Sequence, residues 1–194
     1  NGSIMKGNKI VLDLEFTPLR DPDLQAVAGN EIIEIGAVKL DEENRKLDSF
    51  QTYVKPQYSD IPYRITQITG ITKKTVEKAP QYAEAMEQFA DWIGSDVRSR
   101  FYTWSTSDQN VILREADLKE FPLHDMFYAH WVDLQRIHQR MHGFTRPMNL
   151  TNALGSMQIY FEGTEHGALA DARNTAEILC NLSSIQGVHE RIEK

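Results

Sequence analysis

The stretch that most constrains this chain is Lys9-Ile10-Val11-Leu12-Asp13-Leu14-Glu15-Phe16-Thr17. It opens as an apolar β run and then sets two carboxylates two residues apart. Successive strand side chains point to opposite faces, so residues i and i+2 share one. Asp13 and Glu15 are therefore expected to project together, with Leu12, Leu14 and Phe16 on the other face. Neighbouring carboxylates repel, and each makes the other harder to ionise. A folded chain keeps such a pair near water or beside a cation, and hard divalent cations favour carboxylate oxygen. A lone D-x-E also occurs at ordinary strand edges. The pair points to chemistry only if further acids join it.

Length and charge narrow the setting for that chemistry. The 194 residues suit one compact domain, and 41% hydrophobic content supplies a core. Lys and Arg number 21 against 28 Asp and Glu, a net charge of -7. Long-range attraction to nucleic acid is thus not supplied by net charge, and such a partner would need local basic patches or metal ions. Cys180 is the one cysteine, so no intramolecular disulfide forms, which fits a reducing cytoplasm. No apolar run is long enough to span a membrane. Residues 1–5 are expected to be a loose or extraneous end, 6–185 a single domain and 186–194 a C-terminal tail.

Taken in order, Lys9 to Phe16 predicts strand one, and Pro18 to Asn30 a turn-rich connection. Glu31 to Leu40 reads as a second strand, Asp41 to Asn44 as a hairpin turn, and Ser49 to Lys55 as a third strand. Three strands with short links predict an antiparallel meander. A short helix is expected over Pro62 to Ile68. Tyr82, Met86, Phe89 and Ile93 then recur at helical spacing and Gly94 ends the run. Phe101 to Trp104 is a short strand. Thr106 and Gln109 have the spacing of a capping box for the next helix. Trp131 to Leu134 predicts another strand leading into a helix near Ile137. Two further helices are expected, over Asn149 to Met157 and from Leu169 to about Leu182. Strands alternating with helices after a meander give an α/β fold, a mixed sheet flanked by helices.

Two places offer the missing acids. Asp108 sits in the first turn of a helix, where an acid also suits the helix dipole. Asp171 lies early in the last helix among Leu169, Ala170 and Ala172, a setting unlike a solvated face. His166 precedes it by five residues in a Gly-bearing entry.

The ordered set Asp13-x-Glu15, Asp108 and His166-x₄-Asp171 resembles the DEDDh 3′→5′ exonuclease superfamily, and nearly the whole chain takes part. The Eri1-type and KapD-like branch is closest, through 30–38 (NEIIEIGAV), 53–56 (YVKP), 68–71 (ITGI), 79–80 (AP) and 170–174 (ADARN). The resemblance implies an RNase H-like mixed five-stranded sheet with the first three strands antiparallel. Two departures stand out. Phe16 follows the glutamate where many relatives have a small residue, so that Phe16 and Pro18 are expected to reshape the terminal nucleotide pocket, and residues 104–110 (WSTSDQN) differ from the best-known members. Gly167 occupies the position where a related subclass carries tyrosine instead of the histidine.

The resemblance further implies two Mg²⁺ or Mn²⁺ ions. Asp13 would bridge them, Glu15 and Asp171 would complete one site, and Asp108 would serve the other. Two ions about 3.5–4 Å apart stabilise both the attacking and leaving oxygens of an in-line displacement. His166 would be the general base, its ordinary pKa of about 6.5 suiting that role. Leu14, Phe16, Thr17 and Ile71 match positions that line the terminal nucleotide in relatives, although Leu14 and Ile71 also fit plain core packing. The implied activity is release of nucleoside 5′-monophosphates such as AMP from the 3′ end of single-stranded nucleic acid, RNA rather than DNA. A DNA exonuclease of proofreading type and a non-catalytic end-binding module are the alternatives. Arg64, Lys73, Lys74, Arg136, Arg140 and Arg146 are available to phosphate, with solvated surface the simpler reading. His124, His130, His138, His142 and His189 lack zinc-ligand spacing. Asp133 reads as a helix cap, Cys180 as a small buried residue, and Glu31 and Glu34, three apart, as lying on opposite faces of a strand.

Overall fold

The apolar alternation of the first strand decides how the layers are laid down. In the computed structural model, which describes residues 7–95, 99–160 and 167–192, β1 (Lys9–Pro18) lies at the centre of a five-stranded sheet. It pairs antiparallel with β2 (Asn30–Leu40), which pairs antiparallel with β3 (Lys46–Tyr53). On its other side β1 pairs in parallel with β4 (Arg100–Thr103), and β4 with β5 (Trp131–Asp133). The order β3-β2-β1-β4-β5 is the expected mixed sheet with its meander intact.

Helices cover both faces. Ile10, Leu12 and Leu14 face a core built with α4 (Tyr82–Ile93) and α5 (Ser107–Leu118). Val11 faces a second core completed by α6 (Leu134–His142), α7 (Leu150–Ser156) and α8 (Ala168–Ile192). Asp13 and Glu15 continue the alternation that Val11 starts, so they come out on the α8 side. The last helix runs past Leu182 into the stretch expected to be a tail.

Several local expectations need correction. The connection between β1 and β2 contains α1 (Pro22–Gln25), capped by Asp21 and started by Pro22. Besides α2 (Tyr63–Thr69), ended by Gly70 in the left-handed region, there is α3 (Lys73–Val76), whose capping box is made by Thr72 and Thr75. A 3₁₀ turn spans Asp125–Tyr128. Thr106 does not cap α5 through its side chain. Its own backbone is already helical, so its hydroxyl is not turned onto the third amide. Ser105 Oγ instead accepts from the amide of Ser107 at 3.4 Å. Asp133 does cap α6, accepting from Arg136 N at 3.3 Å. Cys180 is half-buried rather than buried, its Sγ 3.8 Å from Asn44 O.

Glu31 and Glu34 fall on opposite faces by simple alternation only if the strand is unbroken. The register passes from Glu15↔Glu34 to Phe16↔Ile32 and skips Ile33, a bulge that resets the alternation. Ile32 and Ile35, three apart, accordingly share one core. The two glutamates still do not pair, because each is held by separate partners, as the site makes clear.

Candidate active site

Three carboxylates meet where β1 passes under the start of α8. Asp13, Glu15 and Asp171 each offer an oxygen, and these atoms all lie within 4.8 Å of one another. Asp13 and Glu15 reach that point because they alternate with the core residues of β1. Asp171 reaches it because the first turn of α8 sits directly on β2. Gly36, the cross-strand partner of Asp13, makes that approach possible. A Cβ at Gly36 would overlap the backbone of Ala168 and Leu169. Glu34, the cross-strand partner of Glu15, ties the same helix down. Its Oε1 accepts from Ala168 N at 2.8 Å in a buried bond, and its Oε2 accepts from Gln51 Nε2 at 2.8 Å.

Asp108 comes from the opposite side. The parallel pairing of β4 with β1 sends the chain out of the sheet at the same edge, and α5 begins there. Asp108 is buried, 5% exposed. Asp13 and Asp108 stand close enough that the Asp108 charge acts on Asp13.

The electrostatics follow from that crowding. Burial, then the charges of Asp108, Asp171 and Glu15 and a hydrogen bond with Asp171, push the Asp13 carboxyl well above the carboxylate range. Burial and the charges of Asp171, Glu34 and Asp108 push Glu15 up to about 8. Burial and the Asp171 charge push Asp108 up to about 7. Among the described residues no cation pairs with Asp13, Glu15 or Asp108. An all-oxygen, multiply anionic donor set without a protein counter-charge fits a hard divalent cation. Asp13, Glu15 and Asp171 are the residues that would hold one, with Asp108 beside them. Among the described residues no histidine or cysteine cluster forms a comparable group. His166 lies outside the described residues. Gly167, next to it, accepts from Asp171 N through its carbonyl at 2.9 Å.

The four residues expected to line a nucleotide divide. Leu14, Thr17 and Ile71 are buried, Thr17 donating to Asp60 O at 2.8 Å and Ile71 packing with Ile33 and Val76. Phe16 is half-buried and lines an open cavity beside α5. Arg64, Lys73, Lys74, Arg136, Arg140 and Arg146 are all exposed.

Sequence reasoning missed a buried ionic clasp behind the site. Lys119 Nζ stands 2.8 Å from Glu31 Oε2 and 2.6 Å from Glu115 Oε2. Glu31 also accepts from the amides of Gln57, Tyr58 and Ser59, and Glu115 from Ile32 N. Burial raises Glu31, but Lys119 and those amides outweigh it and hold the carboxyl below its ordinary value. Burial wins at Glu115, raised to about 7, because one ammonium is shared between two acids. Two glutamates on an otherwise apolar strand were the available signal.

Comparison with known proteins gives this geometry a context. The family model described as Exonuclease matches residues 10–179. The 3′-5′ exonuclease Snipper of Drosophila melanogaster is 26% identical over 78% of this chain and 60% of its own length. ERI1 exoribonuclease 2 of Danio rerio is 31% identical over 86% of this chain. The chain spans 33% of that relative's length. The nuclease domain of 3′hExo, a DEDDh family member solved bound to rAMP, superposes with a TM-score of 0.77 at 22% identity. The match covers 93% of this chain and 94% of that one, and shows the shared fold. No helix among the described residues is long and apolar enough to cross a membrane.

Proposed function

Because the chain belongs to the Exonuclease family, we propose that it is a divalent-metal-dependent 3′→5′ exonuclease acting on single-stranded RNA in the cytoplasm. Residues 6–185 would form the catalytic domain. The observation that carries the reading is the meeting of Asp13, Glu15 and Asp171 oxygens within 4.8 Å, with Asp108 close by. RNA is favoured because a relative at 31% identity is named an exoribonuclease.

In this reading Asp13, Glu15 and Asp171, with Asp108 beside them, would hold the Mg²⁺ or Mn²⁺ ions. When bound, the ions neutralise the carboxylates and the charge developing on the phosphate. The terminal 3′ nucleotide sits against the β1 end. His166 takes the proton of the attacking water as its oxygen bonds to phosphorus. The bond from phosphorus to the upstream O3′ breaks and O3′ takes up a proton from water, leaving a new 3′-hydroxyl and a nucleoside 5′-monophosphate such as AMP.

The test uses 5′-labelled RNA and DNA strands of one sequence, incubated in Mg²⁺, Mn²⁺ or EDTA with the protein, Asp13→Ala and His166→Ala. A ladder shrinking from the 3′ end, lost in EDTA and in both variants, supports the reading, and the two strands rank RNA against DNA. Strands bound but uncut under every metal condition would replace the enzyme with an end-binding module.

A further inference from the structure

Between Asp133 and Glu162 the sequence has no acid. Those 28 residues hold three arginines and two histidines, while the rest of the chain sets 18 Lys and Arg against 28 Asp and Glu. A basic segment within an acidic chain is the electrostatic footprint of a polyanionic partner, provided folding gathers its charges. Arg136 and Arg140 are four apart on α6 and share its exposed side, while Leu134 and His138 are buried on the other. Gly143 ends the helix in the left-handed region, at φ 68°. Phe144 N then donates back to Gln139 O at 3.0 Å, and Gln139 Nε2 donates to Phe144 O at 3.2 Å. That cap lays the Phe144 ring on His142, centroids 5.5 Å apart and planes 16° from parallel. Both residues are exposed. The buried His138 ring props the pair, its centroid 4.6 Å from that of His142.

The result is an aromatic platform bracketed in sequence by Arg140 and Arg146. Among the described residues no carboxylate pairs with Arg136, Arg140 or Arg146. A lone exposed ring needs no partner, and lone arginines are ordinary surface. Rings and guanidiniums together are what a single strand binds, because any base stacks on a ring and planar guanidinium matches phosphate oxygens. Topology sets this surface on the carboxylate side of the sheet. β5 runs parallel to β4 and β1, so α6 starts at the end of the sheet toward which Asp13 and Glu15 lie. Leu134 joins the core of Val11, on the face where those two acids emerge. The offset is large, however. β5 is two strands from β1, about 10 Å, and His142 lies about 13 Å along α6 from Asp133.

We propose that His142 and Phe144, with Arg140 and Arg146 on either side, bind a single-stranded segment of RNA away from the carboxylates, its bases stacking on the rings and its phosphates held by the guanidiniums. Arg136 extends the contact along α6. The proposal rests on the exonuclease reading for the identity of the strand. It gives a net-negative protein a grip on a polyanion that needs no metal ion.

The experiment is fluorescence anisotropy of a 5′-fluorescein fifteen-nucleotide RNA in EDTA, where the carboxylates only repel phosphate. It uses the protein, Phe144→Ala, Phe144→Tyr, the double variant Arg140→Ala/Arg146→Ala, and Lys78→Ala as a control on the connection between α3 and α4. Thermal unfolding shows that each is folded. Wild-type protein is expected to bind without metal. Phe144→Ala is expected to weaken that binding about tenfold, the scale of one stacked base, with the salt dependence unchanged, and Phe144→Tyr to restore it. The double variant is expected to lower the slope of log affinity against log salt by about 0.7 for each arginine lost. Lys78→Ala is expected to change neither quantity. A ring that served only to cap α6 would alter the unfolding midpoint and leave affinity as it was. Unchanged affinity and slope in the folded variants would overturn the platform and leave the exonuclease standing. So would wild-type protein that binds RNA only when a divalent ion is added. Phe144-dependent binding by a protein that shortens no strand in Mg²⁺ or Mn²⁺ would support the platform and strike the exonuclease reading instead.

Discussion

Glu34 Oε1 accepts the backbone N–H of Ala168 at 2.8 Å, a buried bond that joins the second strand to the helix bearing Asp171. The same glutamate faces Glu15 across the sheet. One side chain therefore sets how far the third carboxylate stands from the first two. Glu34→Ala leaves the Ala168 amide without its acceptor in a buried place, which costs about 1–3 kcal/mol. Urea unfolding is expected to show that loss. Glu34→Gln keeps an acceptor oxygen and is expected to retain most of the stability. The Ala variant should also need more Mn²⁺ for half-maximal activity, because Asp171 is no longer held. Equal stability and metal demand in the two variants would remove the latch.

Gly36 tests the same junction by adding atoms. The backbone of Ala168 and Leu169 occupies the space a Cβ would need, and backbone cannot swing aside as a flexible side chain can. Gly36→Ala is expected to cost about 1–3 kcal/mol from overpacking. Displacing Asp171 by about 1 Å is expected to cost on the order of 100-fold in kcat. The signature is a folded variant whose activity falls much further than its unfolding midpoint. A variant with near-normal kcat would show that the helix can be moved without harm to the site.

How far the sequence discloses all this depends on the range of each interaction. Asp13 and Glu15 were readable as a pair because strand alternation is local. The meander and the helix over Tyr82–Ile93 were readable because their periods are unambiguous. Asp108 and Asp171 gained meaning from their order along the chain rather than from their surroundings. Glu34, Gly36 and Lys119 were not legible in the same way. Glu34 finds its partner 134 residues away, and Lys119 finds Glu31 at a separation of 88. The bulge at Ile33 carries no turn residue to announce it, so the change of register there was not legible. Thr106 has cap chemistry in sequence but a helical backbone in place, which hands the amide of Ser107 to Ser105.

The carboxylate cluster predicts an uncommon pH response. Asp13, Glu15 at about 8 and Asp108 at about 7 all have native pKa values above the ordinary range near 4, set first by burial and then by one another. The native state therefore holds protons that the unfolded chain has released, and stability falls as pH rises through that interval. Metal-free protein is expected to have a lower Tm at pH 8 than at pH 5.5. A divalent ion binds the deprotonated carboxylates, so the gain in Tm on adding Mn²⁺ should be larger at pH 8. Scanning fluorimetry at both values, with and without EDTA, reads it directly. A metal-free Tm that climbs from pH 5.5 to 8 would contradict the crowding of the three acids.

Lys119 makes the last case, because it carries stability away from the chemistry. Its ammonium is shared between two carboxylates with no side-chain exposure, Glu31 and Glu115. Lys119→Met keeps much of the volume and removes the charge, leaving both acids buried and unpaired by any cation. Breaking a buried pair in this way typically costs about 3–5 kcal/mol. The amides of Gln57, Tyr58 and Ser59 continue to stabilise Glu31 as an anion. Glu115, already at about 7, is then the group that takes up a proton. Its native pKa rises further while its unfolded value is unchanged. The deficit of the variant is therefore expected to be greatest at pH 8 and to shrink at pH 5.5, where Glu115 is neutral. Urea unfolding of both proteins at the two pH values checks the size and its sign. A deficit below about 1 kcal/mol, as for an exposed pair, or one that grows toward pH 5.5, would show that the clasp does not hold β2 to α5.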